Sequence, residues 1–594
     1  MRFFAIVGLA LFFGSSEQTL VAQGPQRDGV QPAERHGTAV VRGRVVAAGT
    51  GSPIRRAVVN LSPAPPPIQS GAAGQTFVSV QPLPPATPFG PQRRTVTDAE
   101  GRFAFTDVAS GSYRIFVNPG QHSGQHVSIA YGAKPSEGPL GSDPGLTLQL
   151  SDGQTIDKVV IALPRGAVIS GRIMDEAGEP LARVQVYALA FPAGSPRGIR
   201  VGSGVQTDDL GQFRIFGLQS GEFVVAADAR NNTFVSPNSP QSEADQVGFM
   251  TTYYPGVTDE SAAQRVRARA GTETSGVEIR VGSGRLFRVS GTILDSEGRA
   301  VSRSSGELIR RGTAFGNTQN FFFQTDEQGA FQMQNIPPGD YRLVMRYPNN
   351  TPAQAAAPTD PQLAYQPVTV AGDVENLSVV LRPGTTITGQ VYFEQEPPAS
   401  ALTQLRIMAT SANPEDGIGR GLMPSPIGST RTFTLKGLIG ENLLRLIAPY
   451  QNIYLKSIAA DGEDITDTPR EFKASDRIVV TLTSRASIVE GVVTDPRGTP
   501  SGVGIIMFAD EKGLWQTNAT RTKRTGVDAN GSYRVSGLMP GRYYIIAVPR
   551  ERLTFPANAV DSAYFEQLSK EAETIVIGDS EQRRVDLRVQ QLDR

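Results

Sequence analysis

One short pattern recurs four times along the chain with its internal spacing unchanged. In each copy an aspartate is followed three residues later by a glycine, and two residues after that by an aromatic residue. The copies are Thr97-Asp98-x-x-Gly101-x-Phe103, Thr207-Asp208-x-x-Gly211-x-Phe213, Thr325-Asp326-x-x-Gly329-x-Phe331 and Val527-Asp528-x-x-Gly531-x-Tyr533. A second glycine follows the first after ten residues, at Gly111, Gly221, Gly339 and Gly541. Such repetition indicates a tandem array of one β-rich unit.

The residue types in this pattern predict tight β-hairpins. Aspartate at the first position of a turn caps the local backbone, and glycine at the fourth position accepts a positive φ without steric cost. We therefore expect positive φ at Gly101, Gly211, Gly329 and Gly531.

A second signal, a strand with a glycine in its middle, opens each unit. These glycines are Gly43, Gly171, Gly291, Gly389 and Gly491, spaced 128, 120, 98 and 102 residues apart, which is the size of a small domain. The predicted units are 41–166, 167–284, 285–384, 385–485 and 486–594. The fourth is degenerate, because Arg431 and Glu441 replace the two glycines while Phe433 keeps the apolar spacing.

Each unit closes with strands of alternating polarity, such as Val159-x-Ile161-x-Leu163. Roughly seven short strands per unit predict an all-β array of about five antiparallel β-sandwich domains. The proline-rich stretch 63–91 is expected to be an extended loop of unit 1. One helix is predicted over 561–572, with Tyr564, Phe565 and Leu568 on one face.

The N-terminus carries the pattern of an export signal. Arg2 precedes an unbroken apolar run from Phe3 to Phe13, and Gly14-Ser15-Ser16 follows. Eleven apolar residues are too few to span a bilayer but suit a secretory signal. We expect a signal peptide over 1–22, with cleavage after Ser16 or Ala22, and a disordered mature N-terminus over 23–40. The mature protein is then exported, either to the periplasm or out of the cell.

The repeat resembles the carboxypeptidase regulatory-like domain, a transthyretin-like β-sandwich. The opening glycine strand, the Asp-x-x-Gly turns and the Gly-x-aromatic strand carry this resemblance over nearly the whole chain after the signal. It is also similar to carbohydrate-binding-like folds and to the B-type repeats of bacterial surface adhesins. The resemblance implies the fold and leaves the function open, because the motif residues are turn and core residues.

The composition excludes several kinds of chemistry. The chain has 57 basic and 57 acidic residues, no cysteine and three histidines, His36, His122 and His126. The balanced charge gives no field that would attract nucleic acid. Units two to five lack the residues for a histidine-based triad or a thiolate metal site. We therefore predict no enzymatic activity, no cofactor and no metal site. Solvated loop histidines are favoured over a metal pair at His122 and His126.

Two further kinds of chemistry are conceivable in these repeats. The aspartates Asp98, Asp208, Asp326 and Asp528 could bind calcium, but each turn supplies only one or two carboxylates, and turn capping already explains them. The Lys–Asn amide that adhesin repeats often contain needs a lysine near the opening strand. No lysine occurs between Lys158 and Lys436, so units two and three cannot form this bond.

Aromatic residues in the loops are the remaining functional signal. We select Tyr131, Tyr253, Tyr254, Tyr365 and Trp515 as candidate binding residues, since flat rings can stack on sugar faces or partner side chains. The other interpretation is that these rings hold each long loop onto its own sheet. Tyr253 and Tyr254 precede Pro255-Gly256 in the longest such loop and are the leading candidates.

The sequence thus predicts an exported, non-enzymatic repeat protein that binds a polysaccharide or another envelope protein, or that acts as a spacer. The alternative is an accessory subunit of a separately encoded hydrolase. Carboxylate-only glycosidase chemistry also stays open. Ligand identity and oligomeric state are not determined by the sequence.

Overall fold

A computed structural model describes most of the chain. The described residues are 37–63, 93–120, 125–135, 138–140, 145–192, 198–229, 247–311, 320–347, 361–397, 402, 404–412, 424–448, 453–494, 502–515, 519–527, 531–553 and 562–590. The predicted signal peptide, residues 64–91 of the proline-rich loop, His36, His122 and Asp528 lie outside them.

Strands dominate the described residues and sort into five sandwiches. Unit 1 contains β1 (Ala39–Ala47), β2 (Val58–Pro63), β3 (Arg93–Val96), β4 (Arg102–Val108), β5 (Gly111–Asn118), β6 (Ile129–Ala130), β7 (Leu148–Leu150) and β8 (Thr155–Leu163). Its first strand therefore begins two residues before the predicted start of the unit. Unit 2 contains β9 (Ala167–Met174), β10 (Gln185–Ala190), β11 (Ile199–Gln206), β12 (Gln212–Leu218), β13 (Gly221–Asp228), β14 (Val247–Phe249), β15 (Thr252–Tyr253), β16 (Val266–Ala268) and β17 (Glu273–Arg280), with a 3₁₀ helix at Glu260–Ala262.

The remaining elements continue the array. After β18 (Ser283–Arg285), unit 3 contains β19 (Phe287–Leu294), β20 (Ser305–Arg310), β21 (Asn320–Gln324), β22 (Ala330–Ile336), β23 (Gly339–Tyr347), β24 (Gln362–Val370), β25 (Val374–Val380) and β26 (Arg382–Pro383). Unit 4 contains β27 (Thr385–Phe393), β28 (Arg406–Ser411), β29 (Ser425–Pro426), β30 (Thr432–Leu438), β31 (Glu441–Ile447), β32 (Tyr454–Ala460), β33 (Glu463–Asp464), β34 (Arg470–Glu471) and β35 (Ile478–Thr483). Unit 5 contains β36 (Ser487–Thr494), β37 (Val503–Ala509), β38 (Lys523–Gly526), β39 (Ser532–Leu538), β40 (Gly541–Pro549), α1 (Ser562–Glu571), β41 (Glu573–Ile577), β42 (Gln582–Arg584) and β43 (Leu587–Arg588), with 3₁₀ helices at Lys512–Leu514 and Arg550–Leu553.

Every unit packs two sheets around its own apolar core. We name the sheet that holds the first strand of a unit the opening sheet, and the other the second sheet. In unit 3 the opening sheet has the strand order β22-β19-β25 and the second sheet has the order β21-β20-β23-β24-β26. The repeated aromatic residue lies in the core of each unit: Phe103, Phe213, Phe331, Phe433 and Tyr533 are all 5% exposed or less. The all-β array of β-sandwiches predicted from the repeat is therefore the fold of this chain.

The opening strand makes the same two ladders in all five units. It pairs antiparallel with the strand of the repeated hairpin and parallel with the closing strand, as β1 does with β4 and β8. The equivalent parallel pairs are β9–β17, β19–β25, β27–β35 and β36 with β42 and β43. The sequence pattern predicted antiparallel sandwiches, and this parallel ladder is one exception in each unit.

In units 1, 2, 3 and 5 the glycine of the opening strand is explained by this parallel neighbour, whereas in unit 4 the Phe433 ring lies nearest to Gly389. A Cβ atom built on Gly171 would lie 1.8 Å from the carbonyl oxygen of Val277, and one on Gly491 would lie 1.7 Å from that of Val585. The register of these ladders shifts near the glycine, for example between Thr274 and Val277. The closing strand thus approaches so closely that no side chain fits there.

The hairpin turns form as their residue types predict. The Asp98 carboxylate accepts hydrogen bonds from the backbone N–H groups of Glu100 (3.0 Å) and Arg102 (2.7 Å), and these bonds lower the pKa of that carboxyl. Asp208 and Asp326 make the same pair of bonds to the residues two and four positions later. The φ angles are +75° at Gly101, +71° at Gly211, +74° at Gly329 and +82° at Gly531, which confirms the expected positive φ.

Candidate functional site

The leading candidate loop of unit 2 folds back onto its own sheet. Tyr253 is 2% exposed and packs with Tyr187, Leu189, Val224 and Ala226 on the outer face of the second sheet. Its backbone pairs with Ala226 of β13. The prediction that the Tyr253 ring is available to a ligand is therefore corrected: the ring fills a small apolar cluster between the loop and the sheet.

Tyr254, the adjacent candidate, is half-buried on the opposite side and packs against the main core of unit 2. The turn that follows is held by two backbone hydrogen bonds between Tyr253 and Val257, of 2.7 and 2.9 Å. The Pro255-Gly256 turn therefore does fix the direction of the two rings, as the sequence suggested. It directs them to two buried surfaces rather than to solvent.

Trp515, the candidate in unit 5, is also part of a covered face. It is 7% exposed, and its indole N–H donates to the Ala509 carbonyl oxygen at 2.8 Å. Its ring lies 5.9 Å from that of Phe508 and 6.2 Å from that of Phe565, measured between centroids. Phe565 belongs to α1, whose buried residues are Tyr564, Phe565 and Leu568. The predicted helix and its apolar face are thus confirmed, and the helix covers the second sheet.

Tyr131 and Tyr365, the other two candidates, are half-buried. Tyr131 packs against the core of unit 1, and its backbone N–H donates to the Ile115 carbonyl oxygen. The Tyr365 ring is stacked by the guanidinium of Arg342, at 4.2 Å from Cζ to the ring centroid. The five candidate rings lie in four different units, so the fold does not bring them together into one site.

A different tyrosine role was missed by the sequence analysis. The hydroxyls of Tyr113, Tyr341 and Tyr543 each donate to a backbone carbonyl oxygen four residues earlier, at 2.7 to 2.9 Å. A tyrosine that bonds back to the chain in this way braces a corner between strands, as in immunoglobulin-like sandwiches. The Gly-x-Tyr spacing could have revealed it, since Phe223 alone replaces tyrosine in these four copies.

The threonine of the repeated motif also has a structural role. Thr97 is 4% exposed; its hydroxyl donates to the Ile54 carbonyl oxygen (2.7 Å) and accepts from the Ala57 N–H (2.8 Å). Thr207 makes the same two contacts in unit 2. The residues of the repeated motif thus act within each sandwich: the aspartate caps a turn, the tyrosine braces a corner, and the threonine joins two connecting segments.

No group of three or more metal-ligand side chains occurs in the part of the chain that the structure describes. His126 lies in a β-bridge with Arg165 at the end of unit 1. Within the same residues, no helix has the length and apolar character needed to cross a membrane.

A cluster of largely buried polar groups lies between units 4 and 5. Asp467 of unit 4 is 6% exposed and accepts from the backbone N–H (2.7 Å) and hydroxyl (2.6 Å) of Thr520 in unit 5. The Arg445 guanidinium donates to the same carboxylate at 3.1 Å. Lys523 lies beside them with its side chain partly buried, and desolvation lowers its pKa to about 8 although Asp467 opposes the shift. No sequence signal marked these residues, because they come from separate units.

The comparisons with known proteins add the following. No family model matches the chain, and no curated protein matches it. Similar solved structures include the TIE protein of Bacillus anthracis, at 10% identity over 91% of this chain and 69% of that one, with a TM-score of 0.13. A streptococcal ancillary pilin matches at 10% identity over 58% of this chain and 99% of its own, with a TM-score of 0.19. The minor pilin GBS52 of Streptococcus agalactiae matches at 12% identity over 42% of this chain and 97% of its own, with a TM-score of 0.21. TM-scores this low give no information about function. The resemblance to carboxypeptidase regulatory-like domains stays a prediction.

Proposed function

We propose that this chain is an exported, non-enzymatic scaffold that spans a distance and carries tension along its length. The observation that supports this most directly is the parallel ladder between the opening and closing strands of every unit. Five units with the same ladder, joined in series, suit a protein whose work is mechanical.

The physical reason lies in how a pulling force would load each ladder. When the first and last strands of a domain run parallel and are hydrogen-bonded to each other, tension applied at the two ends of the domain slides one strand along the other. Many hydrogen bonds must then break together, whereas force across a hairpin breaks them one at a time. The β1–β8 ladder extends from Val40–Thr155 to Ala47–Leu163, so its bonds share such a load.

The connections between units are short, so force passes directly from one ladder to the next. Only residues 164–166 separate β8 from β9, and only residues 484–486 separate β35 from β36. At the second junction β18 pairs with β14, and at the third β26 pairs with β24. A chain joined in this way resists bending at its junctions better than one with long free linkers.

The proposed export rests on the N-terminal pattern of Arg2, an apolar run and a small-residue exit. Determining the N-terminal residue of the mature protein in the periplasmic and culture fractions tests this part separately. A chain that retains Met1 in the cytoplasmic fraction would contradict export without touching the mechanical proposal.

The mechanical proposal is tested by stretching single molecules of the mature chain between its two termini. We expect five successive unfolding events, each releasing roughly 300–400 Å of chain for about a hundred residues. Each event should need more force than the unfolding of a domain whose terminal strands form a hairpin. Unfolding at low force, without separate events, would contradict the proposal that the chain carries tension.

Binding of a polysaccharide or an envelope protein by the late loops is less well supported. The Tyr253 and Trp515 rings pack inward, and the candidate rings are distributed over four units. No contact in the described residues favours the accessory-subunit alternative. The scaffold is therefore the function that the geometry supports best.

A further inference from the structure

The second-sheet edge strand of unit 3 differs from its four equivalents in the array. At the edges of the second sheets lie β3, β11, β21, β29 and β38. Four of these carry a charged residue or a proline, residues that natural proteins use to prevent pairing of exposed edges. These are Arg93 and Arg94 in β3, Arg200 in β11, Pro426 in β29, and Lys523 and Arg524 in β38, where both are partly buried and Lys523 lies beside Asp467 of unit 4. The strand β21 reads Asn-Phe-Phe-Phe-Gln and has none of them.

The neighbouring edge of the opening sheet shows the same difference. The hairpin strands β4, β12 and β30 carry the exposed residues Arg102, Arg214 and Lys436, and β39 carries Arg534, which is 3% exposed and paired with Glu490. The corresponding strand β22 places Ala330, Gln332 and Gln334 at the alternating positions opposite its core residues. One whole side of the unit 3 sandwich therefore presents two strand edges without a charged residue.

The central residue of β21 is exposed. Phe321 and Phe323 are 8% and 2% exposed and belong to the core, whereas Phe322 between them is 56% exposed. Among the described residues, β21 pairs only with β20, from Ser305–Gln324 to Ile309–Asn320. A large apolar side chain on a neutral strand at a sheet edge is the arrangement to which another strand adds.

The direction of the backbone groups fixes how a strand could add. Thr325, which follows β21, donates its N–H to the Ser304 carbonyl oxygen (2.9 Å) and accepts from the Arg303 N–H (3.1 Å). In an antiparallel strand successive residues turn their N–H and C=O groups to alternate sides. Phe323 and Phe321 therefore face β20, and Gln324, Phe322 and Asn320 turn their backbone groups to the open side.

We propose that β21 is a self-association site, at which a second copy of this chain adds its own β21 antiparallel about a two-fold axis through Phe322. The sequence of the strand is almost symmetric about Phe322, as such a contact requires. Phe322 meets Phe322 of the second copy, and Asn320 meets Gln324 at both ends. All three pairs have their backbone groups on the open side, so each pair exchanges two hydrogen bonds.

The side chains that this register brings together are compatible with one another. An aromatic pair flanked by two amide pairs is a favourable cross-strand arrangement, and no like charges are brought together. A second copy is favoured over a foreign strand because this neutral edge is complementary to itself, whereas β3, with two arginines, would repel its own copy. The association goes beyond the scaffold function, since it would tie two arrays side by side through their middle units.

Sedimentation equilibrium of the mature chain over a concentration series tests the proposal. We expect a monomer–dimer equilibrium for the wild type, weakened by about tenfold or more in Phe322→Lys, because two lysines then face each other at the axis. The matched control is Val576→Lys, which replaces another apolar residue of 56% exposure in unit 5 and should leave the equilibrium unchanged. Since the Phe322 side chain is exposed, the melting temperature of Phe322→Lys should stay near that of the wild type.

Cross-linking tests the register itself. The chain has no cysteine, so Phe322→Cys introduces a single thiol. A short bifunctional maleimide should link two such chains, and should not link two chains of Val576→Cys. A wild type that is monomeric throughout the series overturns the proposal. So does a Phe322→Lys variant that dimerises as well as the wild type, or equal cross-linking of the two cysteine variants.

Discussion

The opening strands of units 2 and 4 make the same two ladders, but the hairpins beside them are built from different turn chemistry. In unit 2 the hairpin turn has Asp208 and Gly211, and glycine takes the left-handed conformation at φ +71°. In unit 4 Arg431 occupies the position of that glycine and still adopts φ +59°. The apolar residue Phe433 is 2% exposed, as Phe213 is 4% exposed in unit 2. The inward apolar residues therefore decide the fold, and the turn residues lower the free-energy cost of closing the hairpin.

The two units also join their following neighbours by different means. The junction of units 2 and 3 is made by backbone pairing of β14 with β18, and by exposed Glu176, which accepts from the Ser283 N–H at 2.7 Å. The junction of units 4 and 5 contains Asp467, Arg445 and Lys523, all largely buried. Buried charges must be paired, so the second junction should be far more sensitive to a single substitution.

The largest expected effect is that of Asp467→Ala. The substitution leaves Arg445 and Lys523 buried without their shared carboxylate, at a cost of about 3–5 kcal/mol in the stability of units 4 and 5. Hydrogen exchange of the full chain should show faster exchange in β31 and β38. Exchange in units 1 to 3 serves as the internal control, and unchanged protection at the junction would contradict its description as a charge-paired interface.

The second effect is a pH dependence of the same junction. Lys523 has its pKa lowered by burial to about 8, against 10.5 for an ordinary lysine. Below pH 8 the folded and unfolded chains both carry the proton, and folding includes the full penalty of burying the charge. Between pH 8 and 10.5 the unfolded chain binds more protons, so the stability of the junction rises with pH by roughly 3 kcal/mol.

The measurement is the difference in exchange protection between the wild type and Lys523→Met across this range. Burial raises the pKa of Tyr543 to about 12, so above pH 10 the tyrosines oppose the rise. Both proteins contain Tyr543, and its contribution cancels in the difference. A constant difference between pH 8 and 10 would show that Lys523 keeps an ordinary pKa.

The third prediction compares the hairpin turns of units 2 and 4. Gly211→Val should destabilise unit 2 by about 1–3 kcal/mol, because valine is strained at positive φ. A Cβ atom there would also lie 2.4 Å from the Ile173 carbonyl oxygen. Arg431→Gly should instead stabilise unit 4, by up to about 1 kcal/mol, offset in part by loss of the exposed ion pair with Glu396. Thermal melting of both variants checks the opposite signs, and shifts of the same sign would contradict the comparison.

The smallest effect is expected at the junction of units 2 and 3. Glu176→Gln keeps an acceptor for the Ser283 N–H and removes only an exposed charge, so the change in stability should stay within about 0.5 kcal/mol. Exchange in β14 and β18 should be unaltered. A loss comparable to that of Asp467→Ala would show that the two junctions do not differ as described.

The sequence by itself determined the repeat, the sandwich fold, the hairpin turns and the helix α1. These follow from residues close together in the chain: the aspartate cap and the turn glycine are three residues apart, and Tyr564 and Leu568 lie one helical turn apart. The aromatic residues Tyr253 and Trp515 were also found from the sequence. The direction of their rings could not be predicted from the sequence, because a loop residue packs inward or outward according to the sheet beneath it.

Only the tertiary structure decided the features made by residues far apart in the chain. The parallel ladder joins strands more than a hundred residues apart in unit 1, and its only trace in the sequence is the glycine that lets the closing strand approach. The cluster of Asp467, Thr520 and Lys523 joins two units whose separate patterns are complete without it. Local periodicity records which face of a strand is buried, but it does not record which strand or which unit lies against that face, since many partners satisfy the same apolar pattern.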